Sequence, residues 1–360
     1  MKPKSKIVII LIFSSIFLVS CSNKFSRYNY KNLQQLETPV VKKELSSTVI
    51  ISKEKNNDLG DFNIVGRYIV LCDRKSKEMI KIFDLESRKL LKLFGRKGQG
   101  PSEFVTPPFV IRDADDNYFW AYDMTASRIK RFSLTKILND NFTPETIVKF
   151  KDEIPTKIIM SSENKFFASA ITTKGRIFEY DKNGKIIKII GELPVKLKDE
   201  RFAKQHSHAF TGKIIYKEKT KELFFATTFG SIIERYDSES GKLLTTYYGP
   251  ELFFPEYMIV PVGPYYRMEY NNKTRWGYVD VDYNKKTDEI YLLYSGIYFF
   301  NEKGRSNHGA YTNKIYVMNN KGELTKELLL DRKIHKIHLS DKGELYGATE
   351  DEIVKFKYKE

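Results

Sequence analysis

The chain has 360 residues, 61 Lys and Arg against 46 Asp and Glu, a formal net charge of +15, and only two cysteines. The cations are scattered rather than blocked and no nucleic-acid-binding module is recognisable, which excludes nucleic acid as a partner and fits a Lys-rich solvated surface. The residual basic excess suits anionic headgroups or acidic glycans as neighbours.

Met1-Lys2-Pro3-Lys4-Ser5-Lys6 carries three cations and no acid, and an apolar run of 13 residues follows from Ile7 to Val19, interrupted only by Ser14 and Ser15. A spanning helix needs about 20 residues. A charged start before a short apolar core is the pattern of a secretory signal. The run ends in Leu18-Val19-Ser20-Cys21, which resembles the bacterial lipobox, where the cysteine is acylated and becomes the mature N-terminus. The alternative is an ordinary signal peptide with an incidental cysteine. An acylated Cys21 holds the chain to a bilayer through buried methylenes. It also leaves Cys72, in the strand-like "YIVLCD", with no disulfide partner. Removal of residues 1–20 takes three cations from +15 and leaves +12. Residues 22–45 are polar and without period, and read as a tether between the lipid and a globular body.

From residue 46 onward short apolar runs alternate with polar turns, and helical periodicity is nearly absent. Even "SRIKRFSLTKILND" reads as a strand and its following turn. One layout recurs six times. Its leading apolar strands are "YIVLC" from Tyr68, "YFWAY" from Tyr118, "FFASA" from Phe166, "LFFAT" from Leu223, "IYLLY" from Ile290 and "LYGAT" from Leu345, with starts 50, 48, 57, 67 and 55 residues apart. Each is followed by a strand ending in or near an aromatic, such as "MIKIFD" or "IIERYD", and then by a hairpin. Asn183-Gly184 and Lys321-Gly322 supply the positive φ that tight hairpins need. An inner strand precedes each leading strand: "FNIVG", "FVIRD", "KIIMS", "KIIYK", "GYVDVDY" and "KIHLS". Four short strands per unit at this period predict an all-β, six-bladed β-propeller with four antiparallel strands per blade. The last unit stops at "EIVKFKYKE" without its fourth strand, and "STVIIS", Ser47 to Ser52, is unassigned. That segment is expected to complete the last blade, because an open ring leaves two unpaired sheet edges. The organisation expected is therefore a signal peptide over 1–20, a lipidated tether over 21–45 and the propeller over 46–360.

The glycine-rich "LFGRKGQGPSEF", Leu93 to Phe104, lies between the outer strand of one unit and the inner strand of the next. A phosphate loop needs Lys-Ser/Thr after its last glycine and then a helix. Pro101-Ser102 and a strand follow here, so the glycines are expected to shape a blade-to-blade crossover.

The lipobox, "GRKGQGPSEF" and the paired segments "GKIIYKEKTKELFFATTFGSIIERYD" and "WGYVDVDYNKKTDEIYLLYSG" together resemble the six-bladed, TolB-like β-propeller lipoproteins of Gram-negative bacteria, over nearly the whole mature chain. The resemblance implies fold, export and anchoring, and leaves the ligand open. Within it, Ser22 and the absence of acidic residues in Ser22-Asn23-Lys24-Phe25-Ser26-Arg27 imply the outer membrane, periplasmic side, with surface exposure as the alternative.

In a propeller the crossovers and the loops between second and third strands share one face, where ligands commonly bind. The longest such segments hold Arg201, His206, His208, Tyr265, Tyr266, Arg267, Tyr270, Arg275, Trp276, Arg305, Asn307 and His308. Aromatic faces beside arginines suit sugar rings and carboxylates, and the same residues would also serve as a lid packed over the ring. His206-x-His208 could place two imidazoles on one side of a strand, but no third ligand is set by spacing, so no metal is expected. Asp113, Asp115, Asp116 and Asn117 lack the glycine and distal glutamate of a calcium loop and read as a turn. No catalytic constellation and no cofactor are expected. The function expected is a lipid-anchored envelope binding or scaffolding protein, monomeric, whose loop face takes a glycan, peptide or envelope protein. The alternatives are an exported hydrolase or lyase with its site at the channel mouth, and a purely structural envelope partner.

Overall fold

The computed structural model describes residues 28–54, 58–161, 163, 165–197, 199–307 and 309–359. Cys21 and the leader before it, and His308 of the loop face, lie outside the described residues.

Among these residues the strands group into six four-stranded antiparallel blades. Blade one is Leu59–Val65, Tyr68–Asp73, Ile80–Asp84 and Leu90–Phe94, from channel to rim. Blade two is Phe109–Arg112, Tyr118–Asp123, Arg128–Ser133 and Thr146–Lys149. Blade three is Pro155–Met160, Phe166–Ala170, Ile177–Tyr180 and Ile186–Ile190. Blade four is Gly212–Lys217, Glu222–Thr227, Ile232–Asp237 and Leu243–Tyr248. Blade five is Tyr278–Asn284, Glu289–Tyr294, Thr312–Met318 and Leu324–Ile334. Blade six is Lys336–Leu339, Leu345–Ala348 and Glu352–Tyr358, with Val41–Ser52 as its outer strand.

The second strand of each blade is buried on both faces, which is why it reads as an unbroken apolar run. Alternation along it sends successive side chains to different neighbours. Ile69 and Leu71 pack toward blade six, whereas Val70 and Cys72 pack toward blade two. Phe119 and Ala121 return to blade one, and Trp120 and Tyr122 go on to blade three. The same parity holds at Leu223 and Phe225 against blade three, and at Phe224 and Ala226 against blade five. Each of six buried clusters thus lies between two consecutive blades, the last joining blade six to blade one through Ile51, Phe62 and Ile353. Cys72 is a buried packing residue, and burial pushes its thiol pKa up, so it stays protonated.

The closing strand behaves as expected and does more. Ser46 to Ser52 pair antiparallel with Lys357 to Glu352, completing blade six. Val41 to Leu45 pair parallel with Lys326 to Leu330, so the same strand first extends the rim of blade five. Ser47 is fixed at the crossing, its N–H donating to Asp331 Oδ2 at 2.9 Å. Upstream, Leu33–Gln35 adds a parallel strand to the rim of blade four, and Leu36 is buried between blades four and five. Residues 28–45, expected as tether, are therefore a belt laid along three blades. Polar composition concealed this, because a rim strand exposes most of its side chains.

Two local differences concern helices. The turn expected after Arg128–Ser133 is a helix, Leu134–Leu138, capped by the Ser133 hydroxyl, which accepts from Lys136 N–H at 3.3 Å. It turns Leu134 and Ile137 into the core between blades one and two. The crossover at Gly95 to Phe104 is a loop built on itself: Gly100 N–H donates to Glu103 Oε2 at 2.9 Å, Phe104 N–H donates to Arg96 at 2.9 Å, and Phe104 is fully buried. Lys130 Nζ donates to the Gly100 carbonyl at 3.1 Å, which ties the loop to blade two.

A chain that lacks residues 28–52 leaves Glu352–Tyr358 as an open edge and exposes the interface between blades six and one. Its thermal midpoint is expected to fall by roughly 10 °C or more, at about 2–4 °C per kcal/mol for a chain of this size. An unchanged midpoint in calorimetry would remove the closing role of the strand.

Candidate functional site: the channel and its cap

The sequence-predicted loop residues come together as a cap above blades three to five. The crossover from blade three to blade four holds a 3-10 turn, Glu200–Phe202, and a helix, Ala203–Ala209. The crossover from blade four to blade five holds a hairpin, Tyr257–Val262 with Tyr265–Tyr270. Phe202 meets Tyr266 edge-on at 4.7 Å, Gln205 Nε2 donates to the Tyr266 carbonyl at 2.8 Å, and His206 Nδ1 hydrogen-bonds the Tyr257 hydroxyl. Val195, Ala209, Phe210, Tyr257 and Met268 form a small core of their own beneath these contacts.

His206 and His208 lie on this helix rather than on a strand, so two positions apart they diverge instead of sharing a side. Among the described residues no group of three or more His, Cys, Asp or Glu is placed to hold a metal ion. Tyr270 stacks on Phe299 at 4.1 Å, and Trp276 is held between Phe229 at 4.9 Å and Phe299 at 5.6 Å. The aromatic faces of Tyr270 and Trp276 are thus occupied by neighbouring rings. Arg275 donates to the Gly296 carbonyl at 2.9 Å, pairs with Glu251 at 2.8 Å and covers Phe253 at 4.3 Å. These three residues are the lid's packing. Arg201 pairs with Asp199 and Arg267 with Glu269, both at the surface. Tyr265, Tyr266, His208 and Arg305 are exposed.

A buried ion pair fastens the cap to the sheets. Arg176 Nη2 and Nε reach Glu234 Oε2 at 2.7 and 2.9 Å, Arg176 Nη1 donates to the Phe210 carbonyl at 2.6 Å, and the Tyr236 hydroxyl donates to Glu234 Oε1 at 2.8 Å. Tyr30, from the belt, lies against this pair, where burial and the Glu234 charge hold its hydroxyl protonated.

Sequence reading of the loops did not reveal the second part of the site, the central channel. A cavity of about 300 Å³ runs between the innermost strands of all six blades. The crossovers feed the first residues of those strands, so the entrance on the cap side is set by Asp61, Lys157, Asp280 and Lys336, with Lys213 beside Asp280. Lys336 Nζ pairs with Asp61 Oδ1, and Val110 N–H donates to Asp61 Oδ2 at 2.8 Å. Burial opposes the Asp61 charge, but the Lys336 and Lys157 ammoniums and the Val110 amide hold its pKa below the ordinary value. Asp280 accepts from Ile337 N–H at 3.1 Å and lies 3.9 Å from Lys213. Burial pushes Lys213 down to about 8; Asp280 opposes this, and the Lys157 and Lys336 charges add to it. Deeper in, burial raises Asp282 to about 6 against the Leu339 and Tyr283 amides that donate to it. Burial, with Arg112 and Lys336 nearby, holds His338 neutral 3.7 Å from Asp282. The sequence signal was a polar residue at inward positions of the innermost strands, as in "GYVDVDY" and "KIHLS". It is visible only once the inward register is known.

A family model described as TolB-like 6-blade propeller-like matches residues 62–342. No curated relative matches the chain. Among solved structures, the crystal structure of a DUF4221 family member from Bacteroides vulgatus is similar at a TM-score of 0.53 and 12% identity, covering 88% of this chain and 99% of that one. A chain in the crystal structure of the mitotic checkpoint complex covers 87% of this chain and 80% of its own at a TM-score of 0.48 and 9% identity.

Two outcomes test the electrostatics. Glu234→Gln leaves Arg176 buried without a counter-charge, and is expected to cost about 3–5 kcal/mol in denaturant unfolding. His335, whose ring burial lowers to about 4, protonates in the unfolded chain near its ordinary value of 6.5. Its contribution is therefore present above about pH 6.5 and is lost as pH falls toward 4. Asp282 runs oppositely, its contribution being lost as pH rises from its ordinary 3.8 through about 6. His335→Gln removes the first term only. Its thermal midpoint relative to the parent should be higher at pH 4.5 than at pH 7.

Proposed function

Because the chain belongs to the TolB-like 6-blade propeller-like family, we propose that it is a non-enzymatic binding protein of the cell envelope, lipid-anchored at Cys21, that takes an acidic group of its ligand into the channel entrance. The observation that carries this reading is the entrance ring, where Lys157, Lys213 and Lys336 face two carboxylates, Asp61 and Asp280. Asp61 is committed to Lys336 and Asp280 to Lys213 and the Ile337 amide. Among the described residues no carboxylate lies within ion-pair distance of Lys157, so the ring holds one cation more than it neutralises. A carboxylate entering there replaces lost hydration with charge-assisted hydrogen bonds. The peptide termini and acidic sugars of an envelope meet that requirement.

Anchoring at Cys21, on the periplasmic side of the outer membrane, is supported by the lipobox and by the absence of acidic residues after it. The exposed cap residues Arg201, His208, Tyr265, Tyr266, Arg267 and Arg305 then form a rim around the crossovers, and Tyr270, Arg275 and Trp276 hold that rim in place.

Thermal-shift titration with peptides bearing free or amidated C-termini, and with acidic and neutral oligosaccharides, tests the site. Acidic compounds should raise the midpoint, and Lys157→Met with Lys213→Met should abolish the rise. Binding should also weaken as pH passes about 8, where Lys213 loses its proton. Equal shifts from the amidated and neutral compounds would overturn the reading.

A further inference from the structure

The cap hairpin ends in Val262-Gly263-Pro264-Tyr265-Tyr266, a tip without a charge. Tyr265 is 75% exposed, Tyr266 47%, Val262 44%, and Met258 on the same hairpin 45%. Gly263 turns the tip at φ +58, and nothing lies within 4 Å of where its side chain would stand. The tip is therefore two aromatic rings and a branched aliphatic offered to the surroundings by a rigid two-stranded arm. Exposed lysines stand behind it: Lys204 on the helix packed against the arm, Lys196, and Lys273 just past its last strand.

The N-terminal segment reaches the propeller at the root of this arm. The Tyr28 hydroxyl donates to the Pro255 carbonyl at 3.1 Å, and its ring stacks on Phe254 at 4.4 Å, two and three residues before the hairpin begins. Cys21 precedes Tyr28 by seven residues, which span at most about 24 Å when extended. An arm of six residues is about 20 Å long. An acyl group on Cys21 would thus lie within reach of the hairpin, so that anchor and tip can meet the same bilayer.

We propose that the hairpin tip is a second membrane contact, with Tyr265, Tyr266 and Val262 seated at the headgroup level of the lipid bilayer to which Cys21 is attached; the orientation rests on the anchoring reading above. Tyrosine suits that depth, because its ring is apolar and its hydroxyl stays hydrated. The lysines behind the tip add attraction to anionic headgroups. Acyl chains on Cys21 hold the chain to the bilayer without fixing which way the propeller faces, and a second contact converts tethering into a fixed orientation.

The test uses the mature chain with Cys21→Ser, so that binding does not depend on acylation, and vesicles of phosphatidylethanolamine and phosphatidylglycerol. The unacylated chain should sediment with vesicles. Val262→Ser, Tyr265→Ser and Tyr266→Ser together should weaken this about tenfold, the factor that about 1.4 kcal/mol represents, with the β-sheet circular dichroism of the folded chain retained. Leu91→Ser with Leu93→Ser, on the exposed rim of blade one, should leave it unaltered. Tyr265→Trp should be quenched by brominated lipid. Equal sedimentation of parent and triple variant, equal loss in the rim variant, or no quenching would overturn the proposal. Failure of the anchoring reading would appear separately, as an unmodified Cys21 in the mass of the chain extracted from membranes.

Discussion

The pairing of Val41–Ser52 with Glu352–Tyr358 is the contact on which the molecule depends. Each blade buries both faces of its second strand, so no blade is stable without a neighbour on either side, and a ring is the only arrangement that gives all six two neighbours. The ring needs one non-consecutive joint, and here that joint carries backbone hydrogen bonds as well as apolar contact. Val41 to Leu45 reinforce it by bonding to blade five before the strand enters blade six. The sheets of blades five and six thereby become one continuous surface, while blades six and one meet through their side chains.

Closure also creates the channel. Six innermost strands converge on one axis, and their inward positions are forced together whatever their chemistry. Here those positions hold charges of both signs within a space of about 300 Å³. Desolvation acts on each of them, which is why Lys213, Asp282 and His338 all shift toward their neutral forms while Asp61, beside Lys336, remains ionised. A ring that only needed to stand would be better filled by apolar side chains. The cap, by contrast, spends its aromatics on itself: Tyr270, Trp276 and Phe299 interlock, and the Arg176–Glu234 pair clamps the crossover beneath.

The blades were legible because burial on both faces turns the second strand into an unmistakable apolar run, and because the turns carry glycine where positive φ is needed, as at Gly184 and Gly322. The closing strand was legible by elimination, since only Ser47 to Ser52 was β-branched and unassigned. Two things were hidden. Residues 28–45 lack an apolar period because a rim strand buries little more than Leu36 and Leu45, so belt and tether look alike in composition. The channel was hidden because Asp61, Lys157, Lys213 and Lys336 come from four different blades, and nothing in a linear sequence marks which polar residue of a strand faces an axis. His206 and His208 show the same limit: their spacing was visible, but the local helix that separates them was not.

The belt also dictates when the fold can exist. Ser52 waits for Glu352, 300 residues later, so the strand pair that completes the ring joins the two ends of the described chain. Loop closure over such a span comes at the end of folding and slows it. Leu33–Gln35 and Val41–Leu45 can pair with blades four and five before the last strand is available, but Ser46 to Ser52 cannot pair until it is. The two ends of the chain thus act as one joint, and a truncation at either end opens the same interface.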